Sequence, residues 1–142
     1  MENFIIVNIR DEKELKKYQK DCCLKQIDIL PYYREGYVCF SYKENYSFND
    51  LTKMFLQDND NEQIGAISII AERYPYELYR FIRDNRDCFP LQKLRFILDF
   101  VVPSYLPLII PKEQLLCYEF SKEYSNDIWV NILSEIRTLL LK

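Results

Sequence analysis

DNDNEQIGAISIIAERYPYELYRFIRDNRDCFPLQKLRFILDFVV, the stretch Asp58–Val102, decides the fold class. Its polar opening offers Asp60 or Asn61 as a helix cap, because a short oxygen-bearing side chain can accept from the unpaired N–H groups of a first turn. Ile64, Ile67, Ile70 and Ala71 then recur at three- and four-residue steps, the period of one helical face. Tyr74 and Pro75 end that helix, and Pro75 suits the first turn of the next, where a missing N–H costs nothing. Leu78, Tyr79, Phe81 and Ile82 give this second helix its apolar face. Pro90 opens a third, carried by Leu91, Leu94, Ile97, Leu98 and Val101, and Pro103 breaks it. Gly65 interrupts the first helix at a cost of about 1 kcal/mol against alanine. A close approach between neighbouring helices is a physical reason to accept that cost.

Towards the C-terminus, Pro107 and Pro111 punctuate a linking segment, and Pro111 opens a helix containing Leu115, Leu116 and Phe120. Ser125 or Asn126 caps the last helix. Its Ile128, Trp129, Ile132, Leu133, Ile136, Leu139 and Leu140 form the clearest amphipathic pattern in the chain. Towards the N-terminus, Ser47 and Asp50 have the spacing of a capping signal before Leu51, Met54 and Phe55. The segment Tyr32–Tyr46 has the composition of a strand or of an aromatic-rich helix. The helix is preferred, because the neighbours read as helical and a lone strand would lack a partner. Asp11, with Glu14 three residues on, caps a helix through Leu15, Tyr18, Cys22, Ile27 and Leu30 that Pro31 stops. Phe4–Ile9, FIIVNI, is one short strand or an extended lead-in.

The chain has only two glycines, Gly36 and Gly65, and no Asn-Gly pair. Tight hairpins favour such residues, so a many-stranded sheet fits poorly. The expectation is a mainly α, single-domain array over residues 1–142, with six to eight short packed helices and at most one short N-terminal strand.

With 142 residues, 49% of them hydrophobic, the chain can bury a core without disulfides or metal. The five cysteines, Cys22, Cys23, Cys39, Cys88 and Cys117, are odd in number and contain no Cys-x-x-Cys. Cys22 and Cys23 would diverge on a helix. The set reads as free thiols in a reducing cytoplasm, mostly packed as small hydrophobes. The N-terminus lacks a basic start and a long apolar core, and no apolar run reaches bilayer length. A cytoplasmic location away from membranes is expected.

The chain has no histidine. That excludes hydrolytic triads built on imidazole and the imidazole zinc ligand. Neither GxGxxG nor a P-loop is present, so no nucleotide is cradled on glycines. Asp58, Asp60 and Glu62 alternate as calcium ligands do, but position six of such a loop is Gln63 and position twelve Ile69, which fails the EF-hand pattern. No cofactor and no metal are expected. Asp84, Asp87, Asp99, Glu119 and Glu123 are the candidates for a carboxylate-only enzyme, but solvated faces and ion pairs are the favoured account of them. The expectation is that the chain is not an enzyme.

Charge is uneven along the sequence. From Glu44 to Glu62 there are five acids (Glu44, Asp50, Asp58, Asp60, Glu62) against one base, Lys53. From Arg73 to Arg95 there are six bases against three acids, with Arg80–Asp84 and Arg83–Asp87 spaced as i,i+4 pairs. Arg80, Arg83, Arg86 and Arg95 would form an RNA-binding strip, but no nucleic-acid motif accompanies them and the net charge is -3. Tyrosines crowd the acidic side, with Tyr32, Tyr33, Tyr37, Tyr42 and Tyr46 just before it. Tyrosine supplies rigid amphipathic contact area at interfaces and also fills cores.

In its order of polar cap, helix, tight turn, helix, loop and helix, Asp58–Val102 resembles the helical-hairpin HEAT repeats, which implies a protein-binding scaffold. The small, acidic, motif-poor chain as a whole also looks like bacterial immunity proteins that neutralise toxins. The functional expectation is therefore a non-catalytic module that binds another protein, a basic toxin or nuclease domain. Its expected contact residues are Glu44, Asp50, Asp58, Asp60, Glu62, Tyr37, Tyr42 and Tyr46. A general adaptor or assembly subunit is the alternative.

Overall fold

The computed structural model describes residues 2–106 and 127–141. The chain forms two compact units, one ending at Arg73 and the other beginning at Tyr74. It is mostly helical, and it also contains a three-stranded antiparallel sheet.

The first unit is built around that sheet. Strand β1 is Phe4–Asn8, β2 is Lys25–Ile27 and β3 is Tyr37–Ser41, in the order β1-β3-β2. The expected single strand is thus the first of three, and two of the expected helical segments are corrected. The helix begun at Asp11 does not reach Leu30. It is α1, Glu12–Gln19, capped as expected by the Asp11 side chain accepting from the Glu14 N–H at 3.1 Å. It stops because Asp21 turns the chain, its carboxylate accepting from the Cys23 N–H at 2.9 Å. In Tyr32–Tyr46 the preferred helix gives way to a short 3-10 turn, Pro31–Tyr33, followed by β3. β3 is not a lone strand, because β1 and β2 pair with both of its edges.

The strand register sorts side chains by face. Ile5 lies opposite Phe40 and Val7 opposite Val38, and these four meet Leu15 and Tyr18 of α1, together with Leu24, in a small core. On the other face Phe4 lies opposite Ser41, and Ile6 and Ile27 flank Cys39. That face packs on α3, Asp60–Arg73, which in turn packs on α2, Phe48–Phe55. Ser47 caps α2 as expected, accepting from the Asp50 N–H at 3.1 Å. α3 is capped one residue earlier than expected, by Asn59, which accepts from the Glu62 N–H at 3.1 Å.

Gly65 sits where α3 meets the sheet. A Cβ placed there would lie 2.6 Å from Phe4 Cδ1 and 2.7 Å from Phe4 Cβ. The close approach expected of this glycine is real, but the neighbour is a strand rather than a helix. Leu30, fully buried, is held on the same helix by its N–H donating to Ser68 Oγ at 3.0 Å.

The second unit is helical over its described residues. α4 is Pro75–Asp84, with Pro75 in its first turn as expected. α5 is Leu91–Phe96, and it widens into a π-helical turn over Ile97–Val101 before α6, Val102–Tyr105. Pro103 therefore does not break the helix. The π turn ends on the Val102 N–H bonded to Ile97 O, and Pro103 falls in the first turn of α6, where its missing N–H does no harm. α7, Ile128–Leu140, packs against α4 and α5 and buries Trp129, Ile132, Leu133, Ile136 and Leu139. Its cap is Asp127, accepting from the Trp129 N–H at 2.8 Å, while Ser125 and Asn126 lie outside the described residues. So does the helix expected around Leu115, Leu116 and Phe120. Trp129 stacks on Tyr105 with ring centroids 4.8 Å apart, as a core residue.

Candidate functional site

A groove of about 340 Å³ runs along the outer edge of β1, lined by Glu2, Ile5, Ile6, Glu14, Tyr18, Tyr42 and Asn61. Ile5 and Ile6 are consecutive residues on opposite faces of the strand, so a hollow that reaches both lies on the strand's edge. β3 occupies the other edge of β1, which leaves this one outermost in the sheet. α1 supplies Glu14 and Tyr18 to one wall, one helical turn apart. The first turn of α3 supplies Asn61. Tyr42 follows β3 directly and is 45% exposed.

The electrostatics of the groove are one-sided. Among the described residues, its two charged lining residues are carboxylates and no basic residue lines it. Lys17 lies nearby, with its ammonium 5.3 Å from the centroid of the Tyr18 ring. A tyrosine face attracts a cation, and Tyr18 already has one of this chain's own beside it.

The residues expected from sequence distribute unevenly. Tyr42 is in the groove, whereas Tyr37 is exposed elsewhere on the unit and stacks edge-on against Tyr33, with centroids 6.0 Å apart. Tyr33 in turn meets Tyr32 at 5.1 Å. Burial first, and then the neighbouring Tyr32, Asp60 and Tyr37, push the Tyr33 hydroxyl's pKa up, so Asp60 is near enough to act on this aromatic cluster. Asp58 and Asp50 are exposed. Glu44 is exposed and paired with Lys25 at 3.0 Å, and its carbonyl accepts from Arg73 at 3.0 Å. It borders a separate hollow of about 310 Å³ with Gln26, Asp28, Asn45 and Glu72.

Glu62 and Tyr46 are taken into the core. Glu62 is 3% exposed, and its Oε1 accepts from the Asn3 N–H at 2.8 Å and from the Asn3 side chain at 3.0 Å. Its Oε2 has no hydrogen-bond partner among the described residues. Tyr46 is 5% exposed, packs on the Phe4 ring and shares a 2.5 Å hydrogen bond with Ser41 Oγ. From sequence, Glu14 reads only as a capping acid, and neither Glu2 nor Tyr18 stands out as a site residue. The signal that could have placed them was the period-two alternation of FIIVN read together with the i,i+4 spacing of Glu14 and Tyr18.

Four arginines of the basic stretch have carboxylate partners. Arg80 pairs with Glu77 at 3.5 Å and Arg83 with Asp84 at 3.3 Å, in place of the expected i,i+4 partners. Arg95 pairs with Asp99 at 3.3 Å. Arg86 donates twice to the buried Glu135, at 2.6 and 3.0 Å, a fork that raises its pKa. Asp84 and Asp99 are thus arginine partners, while Glu119 and Glu123 lie outside the described residues.

Of the cysteines, Cys39 is buried, but Cys22, Cys23 and Cys88 are exposed, which corrects the expectation that most would pack as hydrophobes. Cys117 lies outside the described residues. Cys22 and Cys23 sit in the turn after α1 rather than on a helix. With Asp21 they bring two thiols and a carboxylate within 4.8 Å of one another, the described group best able to hold a soft dication. The charges of Cys22 and then Asp21 push the Cys23 thiol up, which disfavours the thiolate a metal needs.

No helix among the described residues is long and apolar enough to cross a membrane. Compared with protein-family models, curated proteins and solved structures, the chain matches none.

Proposed function

We propose that the chain is a non-catalytic, stoichiometric protein-binding module, an immunity-type inhibitor whose partner is a basic toxin or nuclease domain. The observation that carries the reading is the groove at β1, where Glu2 and Glu14 stand beside Tyr18 and Tyr42 with no basic residue among the described lining residues. An inhibitor needs a stable scaffold, aromatic anchors and charge opposite to that of its target. A toxin or nuclease that handles nucleic acid carries a basic cleft, and lysines or arginines from its rim fit this groove. The exposed Asp58 and Asp60 extend the acidic surface of the same unit. Glu62 and Tyr46 act beneath that surface, fixing Asn3 and the sheet, rather than as contacts.

The RNA-binding alternative is weakened because Arg80, Arg83, Arg86 and Arg95 each have a carboxylate partner. A general adaptor would use the same groove, and the identity of its partner separates the two. Pull-down from the native cell, followed by identification of the partner, tests the proposal. A tight one-to-one complex with a basic toxin or nuclease domain supports it. Recovery of RNA alone, in binding that falls steeply with salt, counts against it.

A further inference from the structure

We infer that the outer edge of β1 takes an extended, lysine- or arginine-bearing segment of the partner as a fourth strand of the sheet. This rests on the protein-binding reading and names how that binding is made.

The backbone ladder shows which groups are on offer. The Ile9 N–H donates to Gly36 O at 3.0 Å, which continues the β1–β3 register by one pair and marks Ile9 as hydrogen-bonded to that side. In an antiparallel ladder the bonded pairs alternate, so Ile5 and Val7 also face β3, and Phe4, Ile6 and Asn8 turn their N–H and C=O groups outward. Asn8 O is used by the Asp11 N–H at 3.0 Å, which closes the strand's far end. Phe4 is fully buried, main chain included, which closes the near end. The open stretch is therefore centred on Ile6, which lines the groove.

Strand edges of this kind recruit extended peptides through main-chain hydrogen bonds, and the flanking walls select the side chains. Here the walls select cations. Successive side chains of an added strand alternate between the two faces, so lysines or arginines two residues apart would meet Glu14, Tyr18 and Tyr42 on the α1 side. A second copy of this chain is a poorer occupant, because its own edge, Phe4–Asn8, has no basic residue.

The test uses the full chain and three synthetic peptides of equal length, alternating Lys-Val, Glu-Val and Lys-Pro. The Lys-Val peptide should bind and slow amide exchange at Ile6. The Glu-Val peptide should not bind. Lys-Pro carries the same charge but cannot form the ladder, so equal binding by Lys-Pro would overturn the inference. Ile6→Pro provides the second arm. Proline is tolerated on an edge strand where the N–H faces out, so the variant should fold, and it should weaken Lys-Val binding roughly tenfold. If Ile6→Pro leaves binding unchanged while Glu14→Lys abolishes it, strand addition is wrong and the acidic-groove reading survives. If a captured native partner is insensitive to both, the groove reading fails as well. A concentration-dependent dimer with a protected Ile6 amide would assign the edge to a second copy and overturn the proposal.

Discussion

Gly65→Ala isolates the contact on which the first unit is built. In a helix whose surface is open, this change gains about 1 kcal/mol of propensity. At Gly65 the added methyl would lie 2.6 Å from Phe4 Cδ1 and 2.7 Å from Phe4 Cβ, with Phe4 Cγ closer still. Carbon atoms prefer about 3.5–4.0 Å, so roughly 1 Å of overlap must be relieved. Phe4 cannot swing away cheaply, because it is fully buried and its Cβ is fixed by a strand paired to Ser41. Overpacking of this kind costs about 1–3 kcal/mol. Taking the upper end and subtracting the propensity gain leaves a net loss of about 2 kcal/mol. Denaturant unfolding followed by far-ultraviolet circular dichroism reads the change as a lower midpoint at constant slope. The decisive comparison is a cycle with Phe4→Ala, which removes the Cγ and Cδ1 that the added methyl would meet. Gly65→Ala should cost less, or even stabilise, in that background. A wild-type background in which Gly65→Ala is neutral or stabilising would refute the close-approach argument.

Other expectations follow from burial and charge. Cys22, Cys23 and Cys88 should react with a thiol reagent in the native protein while Cys39 stays protected, as peptide mapping would read; early labelling of Cys39 would contradict its placement. Burial, with Glu62 next, pushes the Cys39 thiol up from 9.0 to about 12. The folded chain therefore holds a proton that the unfolded chain loses, and stability should be constant through this group below about pH 9 and fall by up to about 4 kcal/mol as pH rises towards 12. Cys39→Ala should flatten that slope, measured by denaturation across the window; an unchanged slope would show that other groups cause it. Glu62→Ala should destabilise by about 1–3 kcal/mol by orphaning the Asn3 N–H, whereas Glu62→Gln keeps the acceptor and should cost less, again read by denaturation. In the complex, Tyr42→Ala should cost about 2 kcal/mol of binding by calorimetry, and a loss below about 0.5 kcal/mol would remove it as an anchor.

The helical parts of the fold were legible because each carries its own signal. Ser47 and Asp11 cap where their spacing says they should, Pro75 opens α4, and Ile132, Leu133, Ile136 and Leu139 of α7 are buried, with Ile128 and Leu140 half-buried. The sheet was not, because its connections are long. β2 and β3 are joined through Pro31–Tyr33 and Gly36, and β1 reaches β3 only by way of α1 and β2. Hairpin chemistry therefore has nothing to say about it, and Lys25–Ile27 is too short to show a period. The candidate site was partly legible. Tyr42 and the acidic character of the first unit were visible, but Glu2 and Glu14 come together with Tyr42 only through strand pairing. Conversely Glu62, one of the acids of the charged run, faces inward because α3 begins beneath Asn3.

The most direct test of the account is pull-down from the native cell with the wild-type chain and with a folded Glu2→Lys/Glu14→Lys double variant, the mass of the recovered complex being read at low and high salt. The account predicts a one-to-one complex with a basic protein domain for the wild type. It predicts that the double variant loses most of that complex, with the difference between the two narrowing as salt screens the groove. Equal recovery by both chains, or recovery of RNA that depends on Arg80, Arg83, Arg86 and Arg95 with no protein partner, would contradict it.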